Sequence, residues 1–178
     1  MSNLLQITVE PHVETYVRHH YGKQLMLSDD NFIILMIKPL LKPFSKQDPW
    51  KIKPTKKYSL GGVINLWLSD GMMRKYGGFL TDEDIKAISV SIDLVIKQEM
   101  YRWCHHPNAT DEIVDYNIKR FIDFYGFSED DLTFDNLKRW YYRERKRLLK
   151  RKSERDVLLT IPLLLSEIGK DNPQLAIF

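Results

Sequence analysis

Leu5-Gln6-Ile7-Thr8-Val9 alternates apolar and polar side chains, the period of a strand with one covered face, and Glu10-Pro11 stops it. Pro11 suits the first turn of a helix, and Val13, Tyr16, Val17 and His20 then recur at helical spacing up to Gly22, a natural C-cap. A second helix is expected from Ser28, whose hydroxyl would cap the first-turn amides, with Asp29 and Asp30 at the positive end of the dipole. Its expected inward residues are Phe32, Leu35 and Met36, and Pro39 breaks or kinks it. From Lys42 to Lys57, Pro43, Pro49 and Pro54 stand among lysines and preclude regular structure. That stretch reads as an exposed basic loop, either a solvated connector or a contact to nucleic-acid phosphates.

Tyr58 to Leu68 is the best strand pattern in the chain, and it is expected to pair with the N-terminal strand, because two isolated strands would each leave backbone groups unpaired. Gly71 and Gly77-Gly78 bracket an expected turn containing Arg74, Lys75 and Tyr76. Thr81-Asp82-Glu83-Asp84 opens a long helix that runs to Cys104 with Ile85, Ile88, Ile92, Val95, Ile96 and Trp103 on one face. After Pro107, Asn108 or Thr110 caps a helix whose apolar set is Ile113, Tyr116, Phe121, Phe124 and Tyr125, and Gly126 closes it. A polar turn from Phe127 to Leu132 leads to a helix from Thr133 to Lys152 with Phe134, Leu137, Trp140, Tyr141 and Leu148 inward. Val157 to Leu165 is an apolar tail interrupted by Pro162, readable as a strand or a short helix. The expected fold is therefore α+β, mainly α, with about five helices, a minimal two-stranded β element and a C-terminal apolar tail. Its expected organisation is an N-terminal α+β region over 1–107, a helix-turn-helix-like basic region over 108–152 and a tail over 153–178.

Composition narrows the class. With 43% hydrophobic and 29% charged residues in 178, the chain can bury a core, and composition disfavours disorder over most of its length. The single cysteine, Cys104, excludes a disulfide-stapled secreted scaffold. The N-terminus shows neither the basic nor the apolar region of a signal peptide, and the longest apolar runs, Phe32 to Ile37 and Val157 to Leu165, fall well short of the ~20 residues that span a bilayer. A soluble, cytoplasmic protein with no membrane partner is expected.

The net charge of +3 conceals an asymmetry: residues 138 to 152 hold nine basic residues against one acidic, leaving the remainder of the chain at −5. Concentrating like charges over four helical turns costs repulsion that something anionic should offset. A helix-turn-helix sets its second helix against the DNA major groove, apolar on one side and basic on the other. Lys138, Arg139, Tyr142, Arg143, Lys146, Arg147, Lys150 and Arg151 are accordingly the candidate nucleic-acid-binding residues. The turn before them is longer than the three or four residues of the tight motif. Trp140, Tyr141 and Tyr142 could alternatively stack on bases, so RNA or single-stranded DNA is a variant ligand, with core packing the competing use of Trp140 and Tyr141. A solvated face and an acidic protein partner are the other readings of the charge.

Other chemistry is sparse. His19-His20 and Cys104-His105-His106 lack the spacing that aims two ligands at one ion, because adjacent helical residues diverge by about 100°. The carboxylate clusters at 82–84 and 129–131 sit where helix starts and turns favour acids, and no catalytic signature is present. The chain is expected to be no enzyme, with no metal, no cofactor and no small-molecule substrate. Exposed strand edges and the apolar tail both favour self-association, so a homodimer or larger oligomer is expected.

The segment Phe121-Ile122-Asp123-Phe124-Tyr125-Gly126, with Asp130-Asp131-Leu132, Leu137-Lys138 and Tyr141-Tyr142-Arg143, resembles uncharacterised small proteins of Bacteroidetes prophages and mobile elements. So does Ile7-Thr8-Val9-Glu10-Pro11-His12 with Tyr21-Gly22. The ending is also similar to the C-terminal helix-turn-helix of Mor-type phage activators, from which the longer turn departs. The resemblance implies a mobile-element role, and with the basic helix it gives the expected function: a DNA-binding accessory or regulatory protein, for instance in transcription regulation. The alternative is a structural or assembly protein that binds a protein partner through the basic helix and the tail.

Overall fold

In the computed structural model the described residues are 2–43, 61–105 and 110–168, with side chains described from Asn3 to Lys152. They form an α+β fold, mainly α, in which six α-helices accompany one three-stranded sheet. The chain divides into two compact units, Met1–Leu137 and Lys138–Phe178.

Strand β1 (Ser2–Val9) pairs antiparallel with β3 (Gly62–Ser69) over their whole lengths, from Ser2 opposite Ser69 to Val9 opposite Gly62. The alternation seen in the sequence puts Ile7 and Val9 of β1, with Ile64, Leu66 and Leu68 of β3, on the buried face. Helices α1 (Pro11–Tyr21) and α4 (Asp82–Cys104) pack on each other and on these strands. Close approach at the strand end favours Gly62, where a Cβ would stand a tight 3.1 Å from Glu10 O and from Pro11 Cα. The expected two-stranded element is corrected to three strands: β2 (Leu25–Met26) adds in parallel to the other edge of β3, and Leu27 N donates to Trp67 O at 3.0 Å. Two residues are too short to show a period.

The second helix also differs from expectation. Helix α2 (Phe32–Ile37) starts after Asn31, whose side chain accepts from Ile34 N at 3.0 Å, while Asp29 instead caps a turn by accepting from Met26 N at 3.0 Å. Ile33, Ile34 and Ile37 are buried, and Phe32 and Leu35 face solvent. Every residue of Phe-Ile-Ile-Leu-Met-Ile is apolar, so spacing alone cannot choose its inner face. A 3-10 turn at Lys38–Leu40 follows at the expected proline.

Where glycines suggested a turn, the chain forms helix α3 (Asp70–Tyr76), because Ser69 caps it by accepting from Met72 N at 3.3 Å. Gly77 ends it at φ 90°, and a Cβ there would lie 2.1 Å from the carbonyl of Lys42, whose backbone bridges to Phe79. The positive φ and the close approach both demand glycine at this position.

Helix α4 has the expected reciprocal cap between Thr81 and Asp84. Its buried stripe is Ile88, Ser89, Ile92, Ile96, Met100 and Cys104, leaving Trp103 largely exposed. In α5 (Asp111–Tyr125) the buried residues are Val114, Ile118, Phe121 and Tyr125, spaced by four, three and four. Ile113, Tyr116 and Phe124, expected inward, face outward. Both stripes of α5 are apolar enough to pass for the inner one, and only the unbroken run from 114 to 125 is.

Helix α6 spans Phe134–Ile168, so the backbone of the expected tail continues it as far as Ile168. The side chains of 153–168, residues 169–178 and most of the expected basic loop (44–57) lie outside what is described. Among the described residues, no helix is long and apolar enough to cross a membrane.

Candidate nucleic-acid interface

Gly126 ends α5 in the left-handed region, at φ 67° and ψ 36°, and Phe127 N returns to Ile122 O at 3.1 Å. The connection that follows is anchored by two buried side chains, Phe127 and Leu132, with Leu132 N donating to Ser128 O at 3.0 Å. Thr133 then caps α6 by accepting from Asn136 N at 3.2 Å. The connection between the helices covers residues 126–133, an anchored loop where a tight helix-turn-helix would have three or four residues.

Within α6, Leu137 and Tyr141 are buried, the latter 1% exposed. At about 100° per residue, Arg139, Arg143, Lys146 and Lys150 lie within roughly 40° of the direction opposite Tyr141. All four are exposed, as are Arg147 and Arg151, whereas Lys138 and Tyr142 are half-buried. Glu144, the single acid of the segment, lies off that face, is largely covered and pairs with Arg147. The four outward cations span about 16 Å of helix axis at 1.5 Å per residue, a length over which duplex DNA carries roughly ten phosphates.

Three side chains expected inward are placed differently, Phe134 being half-buried. Trp140 is half-buried, standing about 100° from Tyr141, and Leu148 is exposed although its direction lies within about 20° of Tyr141. Tyr141 is too buried to stack on a base. Tyr142, edge-on to it at 5.3 Å between ring centres, and Trp140 each retain some open surface.

Cys104 is fully buried, and that burial pushes its thiol up to about 12, which makes it a small core side chain with little nucleophilic character at neutral pH. Glu99 accepts from both Tyr16 Oη, at 2.6 Å, and Tyr125 Oη; burial first, and then this carboxylate, raise the pKa of both phenols. His20 Nε2 lies 2.9 Å from Tyr125 Oη, so the cluster ties α1, α4 and α5 together.

A third group was not visible in the sequence. Glu10, His12 and Asp93 bring three potential ligand atoms within 4.8 Å of one another. Burial alone would raise the Asp93 carboxyl, but hydrogen bonds from His12 and Lys97 outweigh it and hold the carboxyl below its usual range. Asp93 stands 81 residues from His12, and Glu10-Pro11-His12 carries no metal-binding spacing, so only the packing of α1 on α4 unites them.

Comparisons of the chain with protein-family models, with curated proteins and with solved structures return no match.

Proposed function

We propose that the protein binds nucleic acid, duplex DNA foremost, through the outward face of α6. The observation that carries this reading is the row of Arg139, Arg143, Lys146 and Lys150, set opposite buried Tyr141 and exposed to solvent. Such a row offers phosphates several cations at once, without buried Leu137 or Tyr141 being needed for contact. Lys138, Arg147 and Arg151 flank it, and Tyr142 is placed to touch sugar or base beside it. A cytoplasmic accessory or regulatory role in a phage or mobile element rests on the resemblance of the 121–143 segment to proteins of such elements. Self-association belongs to the same reading, since paired modules are the usual way to lengthen a DNA footprint.

One observation favours a second reading. Leu148 and Leu149 are exposed, 38% and 60%, amid the cations, and apolar side chains offer phosphates nothing. An acidic protein partner with an apolar patch would use both.

The two readings separate on salt. Neutralising four phosphates predicts a log–log salt slope of about −3.6, so raising salt from 50 to 200 mM should weaken duplex binding on the order of 100-fold. Fluorescence anisotropy of a labelled duplex over that range, with single-stranded DNA as competitor, measures it. Absence of binding at low salt would leave the protein-partner reading in possession of the helix.

A further inference from the structure

His12 is the second residue of α1, and its side chain is 4% exposed. Its Nε2 stands 3.1 Å from Asp93 Oδ1 and 3.4 Å from Glu10 Oε2, while its Nδ1 is buried with no hydrogen-bond partner among the described residues. Hydrogen bonding alone serves this ring poorly. A neutral imidazole with its proton on Nε2 can bond one carboxylate well, leaving the second at the edge of range and Nδ1 an unpaired buried acceptor. An imidazolium would bury an unpaired N–H instead.

We propose that Glu10, His12 and Asp93 bind a divalent transition-metal ion, with Zn2+ the best fit. Atoms that share an ion at about 2.0–2.2 Å lie roughly 3.0–3.6 Å from one another, which includes both distances from Nε2. One imidazole with two carboxylates is a donor set of borderline softness, suited to Zn2+ rather than to Mg2+ or Ca2+, which prefer oxygen alone. Binding would take the Nε2 lone pair and place the ring proton on Nδ1, where it still meets no acceptor among the described residues; the gain lies at Nε2, where one ion serves both carboxylates at once. Asp93 is already supported from behind, since its second oxygen accepts from Lys97 Nζ at 2.5 Å, as metal-binding carboxylates usually are. Glu10 is the movable ligand: its side chain is 49% exposed, so it can swing the small distance that closes the triangle. The ion would pin the β1–α1 junction to the middle of α4.

The test is calorimetric titration of the chelator-treated full chain with ZnCl2, followed by Co2+ substitution and visible absorption. One equivalent should bind and raise the melting temperature. Glu10→Gln, which removes a half-exposed ligand and leaves the core alone, should weaken binding by at least about tenfold, and Lys97→Met by about tenfold through the loss of support to Asp93. His12→Ala should abolish binding. A His19→Ala/His20→Ala variant should bind as the parent does. Failure of the parent to bind Zn2+, unchanged affinity in Glu10→Gln, or loss of binding with His19 and His20 would each overturn the proposal.

Discussion

Replacing Arg139, Arg143, Lys146 and Lys150 together with alanine is expected to remove duplex binding at 50 mM salt and to bring the salt slope of any residual binding close to zero. Each cation that meets a phosphate contributes about one unit of slope through counterion release, so losing the row removes most of the driving force. The same variant should fold. All four side chains are exposed, and exposed charges contribute little to stability; here their removal also relieves repulsion between neighbours at i and i+4. Arg147→Ala is the matched control, since Arg147 pairs with Glu144 and lies off the row; its effect on affinity should be clearly smaller. Anisotropy for binding and circular dichroism for folding measure the two halves. A variant that unfolds would make the row structural, and one that folds and still binds duplex as tightly would remove it from the interface.

The largest loss of stability is expected from Phe121→Ala. Phe121 is fully buried in α5, and its ring meets those of Trp103, Tyr125 and Phe127 at centre distances of 5.5, 5.0 and 6.0 Å. Truncation leaves a cavity among large rings that cannot collapse onto one methyl group, at a cost of about 3–5 kcal/mol. Trp140→Ala, at a half-buried position, should cost less than Phe121→Ala. Urea denaturation of the two variants gives the order directly, and a larger loss at Trp140 would show that α6 leans on that ring more than its exposure indicates.

What the sequence discloses depends on how far apart the cooperating residues are. The β1–β3 pair was legible because both strands alternate over several residues, whereas Leu25–Met26 has no room to show a period. Some helix ends were legible from a local cap, Thr81 with Asp84, Gly22 and Gly126, whereas the equally local caps at Asn31 and Ser69 were not. Inner faces were less so. In α2 and α5 apolar residues lie on more than one stripe, and the choice among them is made by the strands and helices they meet, which spacing does not record. The cationic segment was legible because charge density is a local property, yet the row within it emerges only once Leu137 and Tyr141 are seen to define the inner line. The Glu10, His12 and Asp93 group was illegible for the opposite reason, its members being joined by tertiary packing across 81 residues.

Nucleic acid is proposed to meet this chain along α6. Hydrogen exchange followed by mass spectrometry, on the full chain with and without a duplex at low salt, locates the contact by peptide. Slowed exchange in peptides covering 138–152, with those of 82–104 unchanged, is expected; slowing confined to other segments, the lysine-rich 42–57 stretch included, or none at all while the duplex is bound, would rule α6 out as the contact.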